Sequence, residues 1–461
     1  MKITVVNPPN FPFSSKGILI EPIDVLGVAS YIQSIGHDVT FVDMDIKKIK
    51  PENFLDYIGN CGSVVVIVYD YHIPLHGDGT LAGVHAIAHQ AKSQGAKVIV
   101  GGKVPTYKPA RLLHSESSVD VVVTHEMEPA LKELLSNDDW SASQLKTIQG
   151  IKYINGNEAI HATPTRTEKI DLDALPISDR SLISVDDYIE VRTMLSSRGC
   201  HLKCSFCHVP GFWGAWRARN AKVVADEIQL LVEKFDTKKI LFLDDNTIVN
   251  KKRMQEISEE LIEREVKVTL GTLGSFNVFD EETFALMHKA GFRWIHFGAE
   301  SGDNETLQSI HKKVNTQEIK ENVAKAKALG FRVRTSWILD LPDTTEESLE
   351  RTFDLIMETQ TDEVRLHLLS IRLGSELHDQ HSDLQTSQYI HESSPNTNLT
   401  KVSTEYLVKR REDFIKQLES VGYTCVRDPD EFIDMDALRK RSPDLKIVSV
   451  CPLRYGLGWE L

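Results

Sequence analysis

Positive charge is scarce in this sequence. Lys and Arg total 53 against 67 Asp and Glu, a net charge of −14. Nucleic acid and anionic membrane surfaces both demand concentrated Lys and Arg, so neither is expected as the main partner. A neutral or cationic small molecule is compatible with such a surface. Long apolar runs are also missing, and no stretch approaches the roughly 18–20 residues of a membrane span. The opening MKITVVNPPN carries one basic residue, Lys2, before an apolar run of about five residues, too short for a signal peptide. It reads as a strand, and the expected location is the cytoplasm. There is no repeat of solenoid period and no low-complexity tract. Cysteine is sparse: six in all, at positions 61, 200, 204, 207, 425 and 451. In a reducing compartment clustered cysteines point to metal rather than disulfides, and here Cys200, Cys204 and Cys207 stand together.

The length of 461 residues suggests two or three domains. In residues 1–140, apolar strands at Lys2–Val6, Val39–Val42, Ser63–Val68, Lys97–Val100 and Val119–Val123 alternate with amphipathic helices. That alternation predicts a parallel sheet covered on both faces. The expected fold is α/β, a flavodoxin-like doubly wound domain whose ligand lies at the carboxyl ends of the strands. Residues 141–190 are polar and weakly periodic. They read as a linker, with Asn155-Gly156 as a hairpin turn. A second alternating series follows over 191–370, with strands at Arg192–Ser196, Lys239–Leu243, Val266–Leu270, Arg293–Phe297, Arg332–Leu339 and Glu363–Leu369. Six β/α units predict a partial TIM-type barrel with its chemistry at the carboxyl ends of the strands. Residues 371–461 read as a small, mostly α-helical region that covers the substrate, with one clear helix near Thr404–Val421.

The segment Cys200-His-Leu-Lys-Cys204-Ser-Phe-Cys207 directly follows the first predicted barrel strand, which puts it on the catalytic rim. Three thiolates this close can each bind one iron of a cubane and leave the fourth iron without a protein ligand. S-adenosylmethionine (SAM) can fill that position through its amino and carboxylate groups. An electron delivered to the sulfonium then breaks a C–S bond and gives a 5′-deoxyadenosyl radical. The rival reading is a zinc site completed by His201 or His208, but zinc sites usually draw paired ligands from a distance, and Cys425 and Cys451 are single and remote. Phe206 either stacks on an adenine or packs in the core.

CxxxCxxC with an aromatic before the last cysteine resembles the radical SAM superfamily. The resemblance covers nearly the whole chain and is strongest to the class with an N-terminal cobalamin (B12)-binding domain. That class shows an Asn-Pro-Pro opening, matched by Asn7-Pro8-Pro9, and a Gly-Gly after the fourth strand, matched by Gly101-Gly102. Leu172–Asp179, Leu243-Asp-Asp-Asn246 and Gly298-Ala-Glu-Ser-Gly302 also match. The resemblance implies a [4Fe-4S] cluster on the three cysteines and SAM contacts from Glu300, Ser301, Asp244 and Asp245. The alternative for the Glu300 segment is a helix N-cap, with Asp303 close behind. The alternatives for Asp244–Asn246 are a divalent metal on the paired acids and capping of the next helix by Asn246 or Asn250. Arg217 and Arg219, after Trp213 and Trp216, either cover the cluster and meet the SAM carboxylate or snorkel on an ordinary loop.

For cobalamin, the resemblance implies contacts from Tyr69, His72, Gly101, Gly102 and Glu126. The DxHxxG motif is absent: Asp70-Tyr-His72-Ile-Pro-Leu75 lacks the glycine and follows the third strand. Thr124-His-Glu-Met-Glu128 stands where Gly-Glu-Gly-Glu is usual, so Met127 and His125 could obstruct a cofactor tail. Two further departures are Asp340-Leu-Pro-Asp343, where glycines are common, and Arg372-Leu-Gly-Ser-Glu376, where Pro-Gly-Thr-Glu is common. The expected activity is hydrogen abstraction from a carbon of a small metabolite, leading to cobalamin-dependent C-methylation in a biosynthetic pathway. An external donor of flavodoxin or ferredoxin type would supply electrons. Cobalamin-independent dehydration or rearrangement of a sugar-like substrate is the alternative reaction. A non-catalytic zinc-bound sensor is the alternative from another class.

Overall fold

The structure, a computed structural model, describes residues 1–9, 20–69, 78–136, 138–155, 159–369, 371–381, 398–426 and 445–450. It divides into two compact units, Met1–Ile189 and Glu190–Leu461. His72, His76, Cys451 and the turn residue Gly156 lie outside the described residues.

The first unit is built on a seven-stranded sheet: β1 Lys2–Asn7, β2 Asp38–Asp43, β3 Val64–Val68, β4 Lys97–Gly101, β5 Val121–Val123, β6 Ile151–Ile154 and β7 Ile160–Ala162. The strand order is β2-β1-β3-β4-β5-β6-β7. Its first five members are parallel in the flavodoxin-like order, which puts the topological switch between β1 and β3. The all-apolar β3 is buried on both faces, as a central parallel strand should be. The predicted linker adds β6 and β7 to the far edge as an antiparallel hairpin. The rest of that segment is tied to the same unit. Arg180 is wholly buried against Glu21 at 3.4 Å, and Tyr188 donates to Asp43 at 2.8 Å.

The second unit contains β8 Val191–Met194, β9 Ser197–Arg198, β10 Arg217–Ala218, β11 Lys239–Phe242, β12 Thr269–Gly274, β13 Phe292–Glu300, β14 Arg332–Ile338, β15 Glu363–His367, β16 Tyr423–Val426 and β17 Lys446–Val450. Eight of them form one sheet in the order β16-β17-β15-β14-β13-β12-β11-β8. The six predicted barrel strands are all present and run parallel. The C-terminal region, expected to be mostly helical, also contributes β16 and β17 to this sheet. Side-chain caps set the helix starts. Asn220 caps Ala221–Phe235, Asn250 caps Lys251–Glu263, and Asn315 with Glu318 forms a capping box on Thr316–Ala328. The apolar faces of these helices and the outer face of the sheet make one core, which includes Phe242, Phe297, Trp337 and Phe353. With that face buried, the alternate residues of β13, β14 and β15 point inward, toward the site.

Candidate active site

The carboxyl ends of the barrel strands surround a cavity of about 290 Å³. Cys200, Cys204 and Cys207 line it together with Phe206, so the loop after β8 and β9 delivers all three thiols to one space. Cys204 is 8% exposed. Burial pushes the Cys207 thiol up to about 12 and raises that of Cys204 as well. Bare thiols in such a place keep their protons, whereas iron binding displaces them and makes the thiolates ligands. Among the described residues no three His, Cys, Asp or Glu side chains converge on one ion-sized point. A cubane takes one thiolate per iron at separate corners, so its three sulfurs need only border one cavity. His201, offered as a zinc ligand, has its Nε2 against the Asn277 side chain at 3.3 Å.

The two aspartates after β11 divide their work. Asp244 is fully buried and accepts from Ser196 N and Ser196 Oγ, both at 2.6 Å, and from Ser197 N at 3.0 Å. It pins the strand exit that carries the cysteines and does not line the cavity. Asp245 does line it, and accepts from Gly199 N at 3.1 Å. Asn246 caps nothing with its side chain. Its Nδ2 donates to Ser275 Oγ at 3.0 Å and faces Cys200 Sγ at 3.7 Å. The other amide atom of Asn246 is buried with no partner among the described residues. Whichever way the amide is turned, one polar atom of this cavity-lining residue is left without a partner among the described residues. The three cavity-bordering thiols and this orphaned amide fit an iron–sulfur cluster with a polar ligand such as SAM beside it.

Glu300 also lines the cavity. It lies where the register of β13 on β14 shifts, with φ +69°. Lys312 grips its carboxylate at 2.9 Å, and both side chains are about nine-tenths buried. Burial works against the Lys312 charge, but Glu300 holds its ammonium above the ordinary lysine value. Gly298 makes the pair possible: a Cβ there would collide with Glu300 Oε1 and stand 3.0 Å from Lys312 Nζ. The N-cap alternative belongs to Asp303, which accepts from Thr306 N at 2.9 Å. Ser301 is turned away toward Thr352 Oγ1 at 3.3 Å and does not line the cavity.

The Trp-Arg loop is a packed support. Arg217 pairs in β10 against Arg198 of β9 and does not line the cavity. Arg219 is buried in an ion pair with Glu227, and Arg198 stacks over Trp213 at 4.9 Å. Asp340 accepts from Leu369 N. Asp343 occupies a left-handed turn at φ +63°, a conformation that Asp tolerates.

Sequence reasoning missed Lys312 and three side chains deeper in the cavity: His296, Ser336 and His367, from β13, β14 and β15. Ser336 Oγ is 2.6 Å from His296 Nε2 and 3.4 Å from His367 Nε2. Their signal was the inward phase of each strand, which also places Trp294 and Arg334, stacked at 4.4 Å, one layer below His296 and Ser336.

In the first unit, Tyr69, Gly101, Gly102 and Glu126 all lie at or just beyond the carboxyl ends of β3, β4 and β5. Tyr69 is buried, and its N–H donates to Gly101 O at 2.8 Å. Gly102, at φ +131°, has a backbone that L side chains rarely adopt. Glu126 Oε2 accepts from Ile170 N at 3.2 Å. Met127 lies across Gly101, so that a Cβ there would strike its thioether. That cover comes from the first residue of the helix Met127–Leu134 and is fully buried, so it is the bare backbone of Gly102, just beyond the strand end, that fits close approach of a cofactor.

Two family models match the chain: the B12 binding domain over residues 17–135 and the radical SAM superfamily over residues 194–356. The chain is 27% identical over 394 residues to an uncharacterized methyltransferase of Pyrococcus horikoshii, covering 82% of each. It is also 27% identical over 274 residues to the anaerobic magnesium-protoporphyrin IX monomethyl ester cyclase of Rubrivivax gelatinosus, covering 57% of this chain and 49% of that one. Among solved structures, the radical SAM methyltransferase TsrM of Kitasatospora setae, with tryptophan substrate and a SAM analog bound, superposes with a TM-score of 0.70 at 17% identity, over 84% of this chain and 77% of that one. Among the described residues no helix is long and apolar enough to cross a membrane. With a B12-binding domain in its first unit and a radical SAM domain in its second, the chain is an enzyme of the radical SAM superfamily, in the class with an N-terminal cobalamin-binding-like domain.

Proposed function

We propose that this enzyme abstracts hydrogen from a carbon of a small molecule and delivers a methyl group there in a cobalamin-dependent reaction. The observation that carries the reading is the single cavity onto which Cys200, Cys204, Cys207, Phe206, Asn246 and Glu300 all open. When bound, the cluster supplies one electron that splits SAM into methionine and a 5′-deoxyadenosyl radical. When bound, cobalamin supplies the methyl group.

The chain's own residues prepare that event. Cys200, Cys204 and Cys207 would hold the cluster, with three thiolates for its four irons. Asn246 offers its orphaned amide atom to the amino-acid end of SAM, and Asp245 adds negative charge nearby. Phe206 packs on the adenine. Glu300, locked by Lys312, accepts hydrogen bonds from the ribose diol or the ammonium. Asp244 holds the loop that carries the thiols and touches no ligand. In the first unit, Gly102 leaves backbone bare for the corrin side, with Gly101, Tyr69 and Glu126 beside it. A one-electron donor of flavodoxin or ferredoxin type completes the system. The match to the methyltransferase from Pyrococcus supports methyl transfer. The match to the cyclase supports a second reading, carbon-radical chemistry with no methyl transfer.

Anaerobic reconstitution with iron, sulfide and hydroxocobalamin tests these readings. The expected product is brown protein with about four irons per chain that retains corrin and releases 5′-deoxyadenosine from SAM under strong reductant. Cys204→Ala should lose cluster absorbance and SAM cleavage together. Cleavage that survives the substitution refutes the cluster assignment, and corrin lost on desalting moves the reaction to the second reading.

A further inference from the structure

Arg372 enters the same cavity from the segment that leaves β15, five residues beyond His367. It is half-buried, and its guanidinium has no hydrogen-bond or ion-pair partner among the described residues. The acids on the cavity wall do not answer it. Glu300 is held by Lys312, and Asp245 receives the Gly199 amide. Lining the same cavity, His296, Ser336 and His367 form a hydrogen-bonded set, with Ser336 Oγ between the two imidazoles. Below them lie Arg334, in an ion pair with Glu363, and the buried Arg365.

We propose that Arg372, with His296, Ser336 and His367, forms a subsite for an oxyanion of the substrate, a carboxylate or a phosphate, inside the radical cavity. A planar guanidinium presents two parallel N–H donors that match either group bidentately. With both Nε2 atoms donating to Ser336 Oγ, the serine hydroxyl keeps its one proton to donate to the ligand, and the set brings no competing carboxylate. The substrate is then an anionic small molecule, held by its charged end so that a fixed carbon faces SAM. The proposal rests on the reading of this cavity as the radical site. SAM also carries a carboxylate, so the shared chemistry has two sources, and the test separates them.

The full chain, reconstituted anaerobically and saturated with SAM, is titrated calorimetrically with inorganic phosphate and, separately, with acetate. One of the two should bind at a single site. Arg372→Gln should weaken that binding at least tenfold, the usual scale for losing a charged hydrogen-bond partner, and Arg372→Lys should restore part of it. Thermal unfolding of each variant confirms an intact fold. Three results overturn the proposal: no oxyanion binding to the wild type, binding that survives Arg372→Gln, or a tenfold loss of SAM affinity in Arg372→Gln, which assigns the guanidinium to the carboxylate of SAM. Release of 5′-deoxyadenosine is measured in the same wild-type samples. If it is absent the radical reading itself fails; if it is present without oxyanion binding, only the subsite fails.

Discussion

Gly298→Ala tests whether Glu300 contacts SAM without touching a charge. Gly298 is not among the residues with positive φ, so its backbone accepts alanine without strain. The whole effect comes from one methyl group, which would overlap Glu300 Oε1 and press on Lys312 Nζ at 3.0 Å. The strand cannot retreat, because β13 is bonded on both sides to β12 and β14. The carboxylate must therefore rotate out of its ion pair. Overpacking of this kind costs about 1–3 kcal/mol in stability. A hydrogen bond to a charged group is worth about 1.5–3 kcal/mol, so SAM should bind roughly ten- to a hundredfold more weakly. The assay is SAM affinity on cluster-loaded protein by equilibrium dialysis, with cluster absorbance and melting temperature as controls. Glu300→Gln should lose a similar factor. The double variant should be little worse than either single one, because both changes remove one contact. SAM affinity at the wild-type level in Gly298→Ala, or losses that multiply in the double variant, would refute the assignment.

Two further predictions concern each unit separately. Gly101→Ala should lower the melting temperature of the first unit because the new Cβ meets Met127, and Met127→Ala should rescue it. No rescue would show that the clash is not what matters at Gly101. Asp280 caps Glu281–Lys289 by accepting from Thr283 N at 3.0 Å and Thr283 Oγ1 at 2.6 Å. Asp280→Ala should destabilise the second unit by about 1 kcal/mol. The Thr283 hydroxyl and amide hold the Asp280 carboxyl below its ordinary value. Its contribution is therefore complete above the unfolded pKa of about 3.9 and is lost as pH falls through the lower folded value. By calorimetry the gap between wild type and variant should hold from pH 7 to about 4 and narrow only below. A gap that closes between pH 7 and 5 would contradict the cap as its source.

What could be read from the sequence was whatever local pattern determines. The all-apolar β3, the alternation of strand and helix, and the three cysteines after a strand each announce themselves within a few residues. What escaped depends on residues far apart in the chain. Lys312 reaches Glu300 across a helix, Asn304–Ser309, that the sequence did not signal. His296, Ser336 and His367 come from three separate strands, and only their shared inward phase relates them. Asp244 and Asp245 were read alike as SAM contacts, although neighbours on an extended segment point to opposite sides. That rule already required one of them to face away, and it is Asp244 that does. The run Lys446–Val450 has strand composition, but five residues of it do not show that it pairs with β15, some eighty residues earlier, as well as with β16.

The bulge in β13 shows why the carboxylate position is costly and why it is kept. A regular ladder that pairs Gly298 with Ser336 would set Glu300 opposite Ile338; the register shift sets it opposite Trp337. One residue of parallel strand is about 3.3 Å, so the shift draws Glu300 that much deeper along β14. A glutamate held at φ +69° pays for this in backbone strain, about 1–3 kcal/mol for such a conformation. The neighbours absorb it: Ala299 is buried in the core, the Gly302 amide donates to Thr352 Oγ1 at 2.9 Å, and Lys312 clamps the side chain. A carboxylate needed only for an ion pair could have been placed on regular strand without that strain. The proposed contact of Glu300 with SAM requires a fixed depth in the cavity, and the bulge sets that depth.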